Sequence, residues 1–153
     1  MRHLFAVSLV LLSACGDGGT GESDAIPDVL AGSWEASLAC SPECHFTLVR
    51  LDDPSQSLDF VSGIPGSIFL LELTRQGGFE LEAVAANETI RGTVRAEGSL
   101  LILRDNAGVQ DTADWSIAGE YLRLDFRGET DEFDFDQDGL PDPATIRARF
   151  RRR

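Results

Sequence analysis

The stretch richest in chemistry runs from Asp134 to Asp142. Asp134, Asp136 and Asp138 alternate along the chain, Gly139 follows, and Asp142 closes the run. Counted from Asp134, carboxylates stand at loop positions 1, 3, 5 and 9, with glycine at 6. Alternating carboxylates on a tight turn converge on one point, which suits a hard cation such as Ca²⁺ that takes roughly six to eight oxygens. Leu140 would add its backbone carbonyl, and Gly139 permits the sharp bend. The expected metal set is therefore Asp134, Asp136, Asp138, Leu140 and Asp142, with Ca²⁺ as the cofactor. Position 12 is Thr145 where a tight site has a bidentate Glu, so Asp131 or Glu132 would have to strengthen the site. A polar hairpin explains the same residues without metal. Turned at Asp138-Gly139, it would set outward Glu132, Asp134 and Asp136 against outward Thr145, Arg147, Arg149 and Arg151, with Phe133 and Phe135 inward. Both readings stay open here.

Cys40 and Cys44 are the next reactive pair, with His45 beside them. Cys40-Ser41-Pro42-Glu43-Cys44-His45 is one residue longer than the C-x-x-C-H haem-attachment pattern. Beyond Met1 and His3 the chain has no Met and no second His to serve as a far axial ligand. In an oxidising compartment a Cys40–Cys44 disulfide is expected, worth about 2 kcal/mol in the chain-entropy model. Catalysis finds little to use. All 13 basic residues are Arg, which excludes lysine Schiff-base chemistry. Carboxylates are plentiful but none is singled out as a general acid. Nucleophile elbow, P-loop, zinc spacing and dinucleotide fingerprint are all missing. The expectation is a protein that binds, with no catalytic residue and no organic cofactor.

Cys15 completes the cysteine count. Met1-Arg2-His3 is basic, Leu4 to Leu12 is an apolar run, and Ser13-Ala14 are small. That order describes a secretory leader too short to span a bilayer. Leu12-Ser13-Ala14-Cys15 resembles the lipobox of bacterial lipoproteins. The resemblance implies cleavage after residue 14, lipidation of Cys15 and a membrane as partner through that lipid. An ordinary cleaved leader with a stray thiol is the rival reading. Gly16 stands where bacterial lipoproteins kept in the inner membrane tend to have Asp, which implies passage to the outer membrane if the cell has one. Residues 15–27, rich in glycine and small polar residues, read as a flexible tether, and 28–153 as one domain. With 26 acids, 13 arginines and a net charge of −13, the chain is not expected to bind nucleic acid or anionic headgroups.

The elements that must position these residues are strands. Tyr121 to Arg127 sets Leu122, Leu124 and Phe126 against Arg123, Asp125 and Arg127. Thr89 to Arg95 and Phe79 to Ala85 alternate in the same way. Ser67 to Thr74 and Leu100 to Leu103 are apolar on both faces, and their lengths and flanking glycines favour strand. Turn signals at 76–78, 86–88, 97–99, 106–108 and 118–120 recur at the rhythm of an antiparallel meander. No stretch carries a helical stripe. The predicted fold is all-β, an up-and-down meander of eight to ten strands that closes into a barrel, since an open sheet of that width leaves costly edges.

Gly32-Ser33-Trp34 opens the first strand. It resembles the first conserved block of lipocalin-like (calycin) barrels, whose Trp plugs the closed end beneath an Arg from the last strand. The resemblance implies that Arg147 or Arg149 covers Trp34. Gly92-Thr93-Val94, Asp114-Trp115-Ser116-Ile117, Leu122-Arg123-Leu124 and the Phe133-to-Arg147 ending further resemble bacterial lipocalin-like lipoproteins of unassigned role. Such barrels commonly hold a small hydrophobic or lipid-like ligand, and that is the expected function. The alternative is a structural or interaction lipoprotein, its Ca²⁺-stabilised hairpin joined to a barrel filled by Phe46, Phe69, Phe79, Leu81, Trp115 and Phe126.

Overall fold

A computed structural model describes residues 26–153. The expected leader, Cys15 and the tether up to residue 25 lie outside the described residues. The strands are β1 (Gly32–Ser37), β2 (His45–Arg50), β3 (Ser57–Asp59), β4 (Ile68–Leu73), β5 (Gly78–Ala83), β6 (Glu88–Glu97), β7 (Leu100–Asp105), β8 (Gln110–Ala118), β9 (Tyr121–Phe126), β10 (Asp131–Phe133) and β11 (Asp142–Arg152). One short helix, α1 (Phe60–Gly63), and 3₁₀ turns at Leu38–Cys40 and Val84–Ala86 complete the elements. Among the described residues no helix is long and apolar enough to cross a membrane.

The expected antiparallel barrel is present. Eight strands close a ring in the order β1-β4-β5-β6-β7-β8-β9-β11 and back to β1, and β2, β3 and β10 are additions to it. From β4 to β9 each strand pairs with its successor, because each connection is one of the short turns read from the sequence. Period-two alternation sends Leu71, Leu73, Phe79, Val94, Leu101, Leu103, Ala113, Leu122 and Leu124 into one core. Ile26, the first described residue, is itself buried in that core.

Closure falls to β11. One edge pairs with β9 and, further back along the chain, with β10. The opposite edge is shared. Arg151 and Arg152 pair with Glu35 and Trp34 of β1, whereas Ala144 to Arg149 pair with β2. Beyond Glu35 the first strand stays with β4 alone, and the chain turns through a corner before rejoining β11 at His45. A Cys40–Cys44 disulfide, its Cα atoms 5.4 Å apart, clips that corner. Asp59 ties the insertion down. Its carboxylate accepts the N–H groups of Val61 and Ser62 at the start of α1 and that of Phe46 on β2.

One end of the barrel is packed solid. Trp34 is fully buried and donates its indole N–H to Leu30 O at 3.0 Å. The guanidinium that covers it belongs to Arg152, with Cζ 4.1 Å from the ring centroid, and neither Arg147 nor Arg149 supplies it as expected. Strand parity is the reason: Arg152 shares the inward face with Ala148 and Phe150, while Arg147 and Arg149 point outward. Arg152 also donates to the carbonyls of Ala31 and Val29. Gly32 makes room for it, at φ +132 and with a Cβ position only 2.9 Å from Arg152 Nη1.

β6 serves two neighbours in succession, pairing Glu88–Thr93 with β5 and Gly92–Glu97 with β7. At the handover a Cβ on Gly92 would lie 2.0 Å from the backbone oxygen of Arg104. Backbone cannot move aside cheaply there, so Gly92→Ala is expected to cost about 1–3 kcal/mol of unfolding free energy. Urea denaturation reads this as a lower midpoint at constant slope; an unmoved midpoint would mean that β6 and β7 separate freely.

Candidate functional site

The end of the barrel opposite Trp34 is hollow. Because β1 and β2 part company there, the wall between β11 and β4 is completed by β2, α1 and the chain entering β4. A cavity of about 410 Å³ opens among Phe46, Phe60, Phe69, Leu81, Ala83 and Ile146, with Ile64 and Ile90 also lining it. Ile64 and Ile90 are 40% and 49% exposed, so this rim presents apolar surface to solvent. Phe46 and Phe69 stack with ring centroids 4.0 Å apart, and Phe46 meets Phe150 edge-on at 6.3 Å. That aromatic group is the floor of the cavity and the roof of the packed core. The residues expected to fill the barrel thus divide. Phe79 is buried in the core, Trp115 and Phe126 pack against it part-buried, and Phe46, Phe69 and Leu81 line the hollow. Glu88, Asp131 and Ser67 are the polar lining residues.

The acidic run takes a different form from the expected long hairpin. β10 ends at Phe133, and its register sets Glu132 against Pro143 and Asp131 against Ala144. The acid-to-arginine ladder therefore does not form. Arg147, Arg149 and Arg151 lie opposite Asp125, Arg123 and Tyr121 of β9, which occupies that edge of β11. Phe133 is not inward either: it is 38% exposed and packs edge-on against Phe135 at 5.0 Å.

Residues 134–141 instead fold over their own carboxylates. Asp134 accepts the N–H groups of Asp138 and Gly139 at 3.1 and 3.0 Å, and Asp138 accepts that of Leu140 at 2.8 Å. Gly139 takes the bend at φ +87. Asp134, Asp136 and Asp138 each offer an oxygen within 4.8 Å of the others. This donor set fits a hard cation in kind, with three carboxylates on one turn. Asp142 is turned to another task. It accepts from Phe135 N–H at 3.0 Å and pairs with Arg50 at 2.6 Å. Arg50 also reaches Asp52 at 2.7 Å and Asp136 at 3.0 Å. Hydrogen bonds to Asp52, then to Asp136, raise its pKa further above the usual guanidinium value. Arg50 lies far from the loop in sequence, and no local spacing announced it. Leu140, the expected carbonyl donor, exposes 67% of its surface at the loop tip.

His45 lies outside the barrel. With Ser116, Tyr121, Arg123, Asp125, Arg147 and Arg149 it lines a hollow of about 480 Å³ on the outer wall. Burial lowers the His45 pKa from its usual value, and the nearby charges of Arg149 and Arg123 lower it further, against the opposing pull of Asp59 and Asp125.

No protein-family model matches the sequence, and no curated protein matches it either. Among solved structures the chain is similar to a de novo designed fluorescence-activating β-barrel, at 10% identity and a TM-score of 0.36, over 80% of this chain and 93% of that one.

The His45 environment sets a pH dependence. A histidine whose folded pKa is depressed binds its proton more readily in the unfolded chain, so stability is fully present above the ordinary value of 6.5 and is lost as pH falls from there through the folded pKa. The melting temperature of the native chain is expected to drop more between pH 7 and pH 5 than that of His45→Gln; parallel pH profiles would show that His45 does not report on folding.

Proposed function

We propose that this chain is a lipid-anchored protein of the bacterial cell envelope whose barrel holds a small apolar or lipid-like molecule at its hollow end. The observation that carries the reading is the cavity of about 410 Å³, apolar on most of its wall and open through a rim of exposed isoleucines. Its size falls in the lower half of the roughly 300–1,000 Å³ common for small-molecule sites. The Gly32–Trp34–Arg152 plug at the other end supports a lipocalin-like reading, since it leaves one way in. Lipidation of Cys15 and passage to an outer membrane follow from the leader and from Gly16. The role is binding without catalysis. His45 lies across the wall from the cavity, and the acids on the cavity lining, Glu88 and Asp131, are exposed at its edge.

Ala83 faces the cavity from β5, directly opposite Phe69. N-phenylnaphthylamine, a neutral apolar dye, is expected to brighten on binding the native chain and to lose that response in Ala83→Phe at an unchanged melting temperature. Equal brightening of both proteins would place the dye elsewhere and remove the cavity from the proposal.

A second reading concerns the acidic loop. Its support is the approach of Asp134, Asp136 and Asp138 to within 4.8 Å, where Arg50 pairs with Asp136 alone and the charges of Asp134 and Asp138 are left to repel their neighbours. Bound Ca²⁺ would be held by those carboxylates and would stiffen the turn that leads into β11. Binding to the folded state alone stabilises by about 2.7 kcal/mol at a hundredfold excess over Kd. Ca²⁺ is therefore expected to raise the melting temperature of the native chain and not that of Asp138→Asn, which keeps an acceptor for Leu140 N–H. No rise in the native chain, or the same rise in both, would discard the site.

A further inference from the structure

The outer wall of the barrel carries an arrangement of charge that the ion pairs leave unexplained. Across β2, β11 and β9 the outward residues His45, Arg149 and Arg123 stand side by side in register, His45 opposite Arg149 and Arg149 opposite Arg123. Like charges directly opposite one another destabilise a sheet. One step along β11, Arg147 lies opposite Asp125. The carboxylate of Asp125, however, is taken by Arg123 at 2.7 Å. Among the described residues Arg104, Arg147, Arg149, Arg151 and Arg152 form no ion pair, and of these five Arg147 and Arg149 line the outer hollow. Acids are in no short supply, at 26 against 13 arginines in the chain. The Arg149 guanidinium is also held in place. Arg149 Cζ lies 4.6 Å from the centroid of Tyr121, and such stacking uses the guanidinium face while leaving its N–H edge available. Both side chains line the outer hollow of about 480 Å³, together with hydroxyl-bearing Ser116 and Tyr121.

We propose that this hollow binds a phosphate-class oxyanion, with Arg147 and Arg149 as its principal donors and Arg123, Ser116 and Tyr121 around it. A guanidinium presents paired N–H groups at the spacing of two phosphate or carboxylate oxygens, so two of them in one concave surface select a compact anion. A long polyanion would meet the acidic remainder of the molecule and be repelled. The site is separate from the apolar cavity, because alternation along β11 puts Ile146 inside the wall and Arg147 outside it.

A free phosphate ester and a phospholipid headgroup carry the same chemistry, and the test separates them. Inorganic pyrophosphate is titrated into the full chain at constant ionic strength while the arginine Nε–Hε NMR signals are followed. Signals of Arg147 and Arg149 are expected to shift, with affinity falling at least tenfold in Arg147→Gln/Arg149→Gln and staying unchanged in Arg104→Gln. If pyrophosphate moves nothing, vesicles of phosphatidylglycerol are compared with vesicles of phosphatidylcholine. Binding to the former that the double variant loses would assign the site to a headgroup. An absent response to pyrophosphate with equal vesicle binding by parent and variant overturns the proposal. So does an equal loss in Arg104→Gln, which would mark general charge attraction. Should the double variant fail to fold, the shifts in the parent chain decide.

Discussion

The barrel depends on the backbone hydrogen bonds of β11. A sheet of this width has two edges, and each would expose a row of unpaired N–H and C=O groups. β11 removes both by pairing with β9 and β10 on one side and with β1 and β2 on the other. Its eleven residues give it the length to do so. The cost lies in the sharing of one edge. Since β1 holds only the last residues of β11, it is free to leave with β4, and β2 must take over. The two ends of the barrel differ for that reason. Where β1 meets β11, Trp34, Leu30 and Arg152 fill the space; where β2 replaces it, the wall spreads around α1 and a cavity opens.

Charge follows the same frame. Some surface pairs lie within one strand, such as Arg123 with Asp125, and others join neighbouring strands, such as Arg91 with Glu80 and Arg127 with Asp114. Pairs of that kind contribute a fraction of a kcal/mol and mainly favour one register over its slips. Arg50 is different in placement. It is largely shielded, it binds three carboxylates, and it joins the end of β2 to the acidic loop and to the first residue of β11. The loop would otherwise gather acids with no cation near them. Arg152 is a third case, a guanidinium laid across the barrel end against an indole and two carbonyls. A net charge of −13 describes none of these. It averages over the whole surface, whereas Arg123, Arg147 and Arg149 gather at one outer hollow, which is why it gave no hint of the cationic outer wall.

What the sequence made legible was local. Alternation and turn residues placed β4 to β9, since each of those strands pairs with the next and the pattern carries both the strand and its partner. The Cys40–Cys44 bridge followed from proximity in the chain. The failures at the acidic loop involve pairing across long separations. Glu132, Asp134 and Asp136 looked ready to face Arg147 and Arg149, but β9 takes that edge of β11, and sequence order alone does not disclose it. The link from Arg50 to Asp136 joins residues 86 apart and has no spacing to read. The arginine over Trp34 was missed for a different reason. Arg147 and Arg149 share parity with residues already assigned outward, whereas Arg152 has the parity of Ile146, Ala148 and Phe150. That signal was present in the sequence.

The same parity allows one strand to serve two surfaces. Ile146 lines the inner cavity and Arg147, its neighbour, lines the outer hollow. A peptide bond separates two environments that differ in polarity and in the kind of molecule they suit. Nothing chemical need pass between them, for the wall is one sheet thick and its hydrogen bonds are already committed to closure. A change of side chain on one face leaves the backbone register intact so long as the other face keeps its packing. Where the two faces do meet is the seam between β2 and β4. Asp59 there holds Phe46 and α1 together, His45 is one residue from Phe46, and the stacked Phe46–Phe69 pair forms the cavity floor. That short stretch of β2, with Phe46 on the cavity and His45 on the outer hollow, and the Ile146–Arg147 step of β11 are the two places where the apolar cavity and the cationic face share a strand.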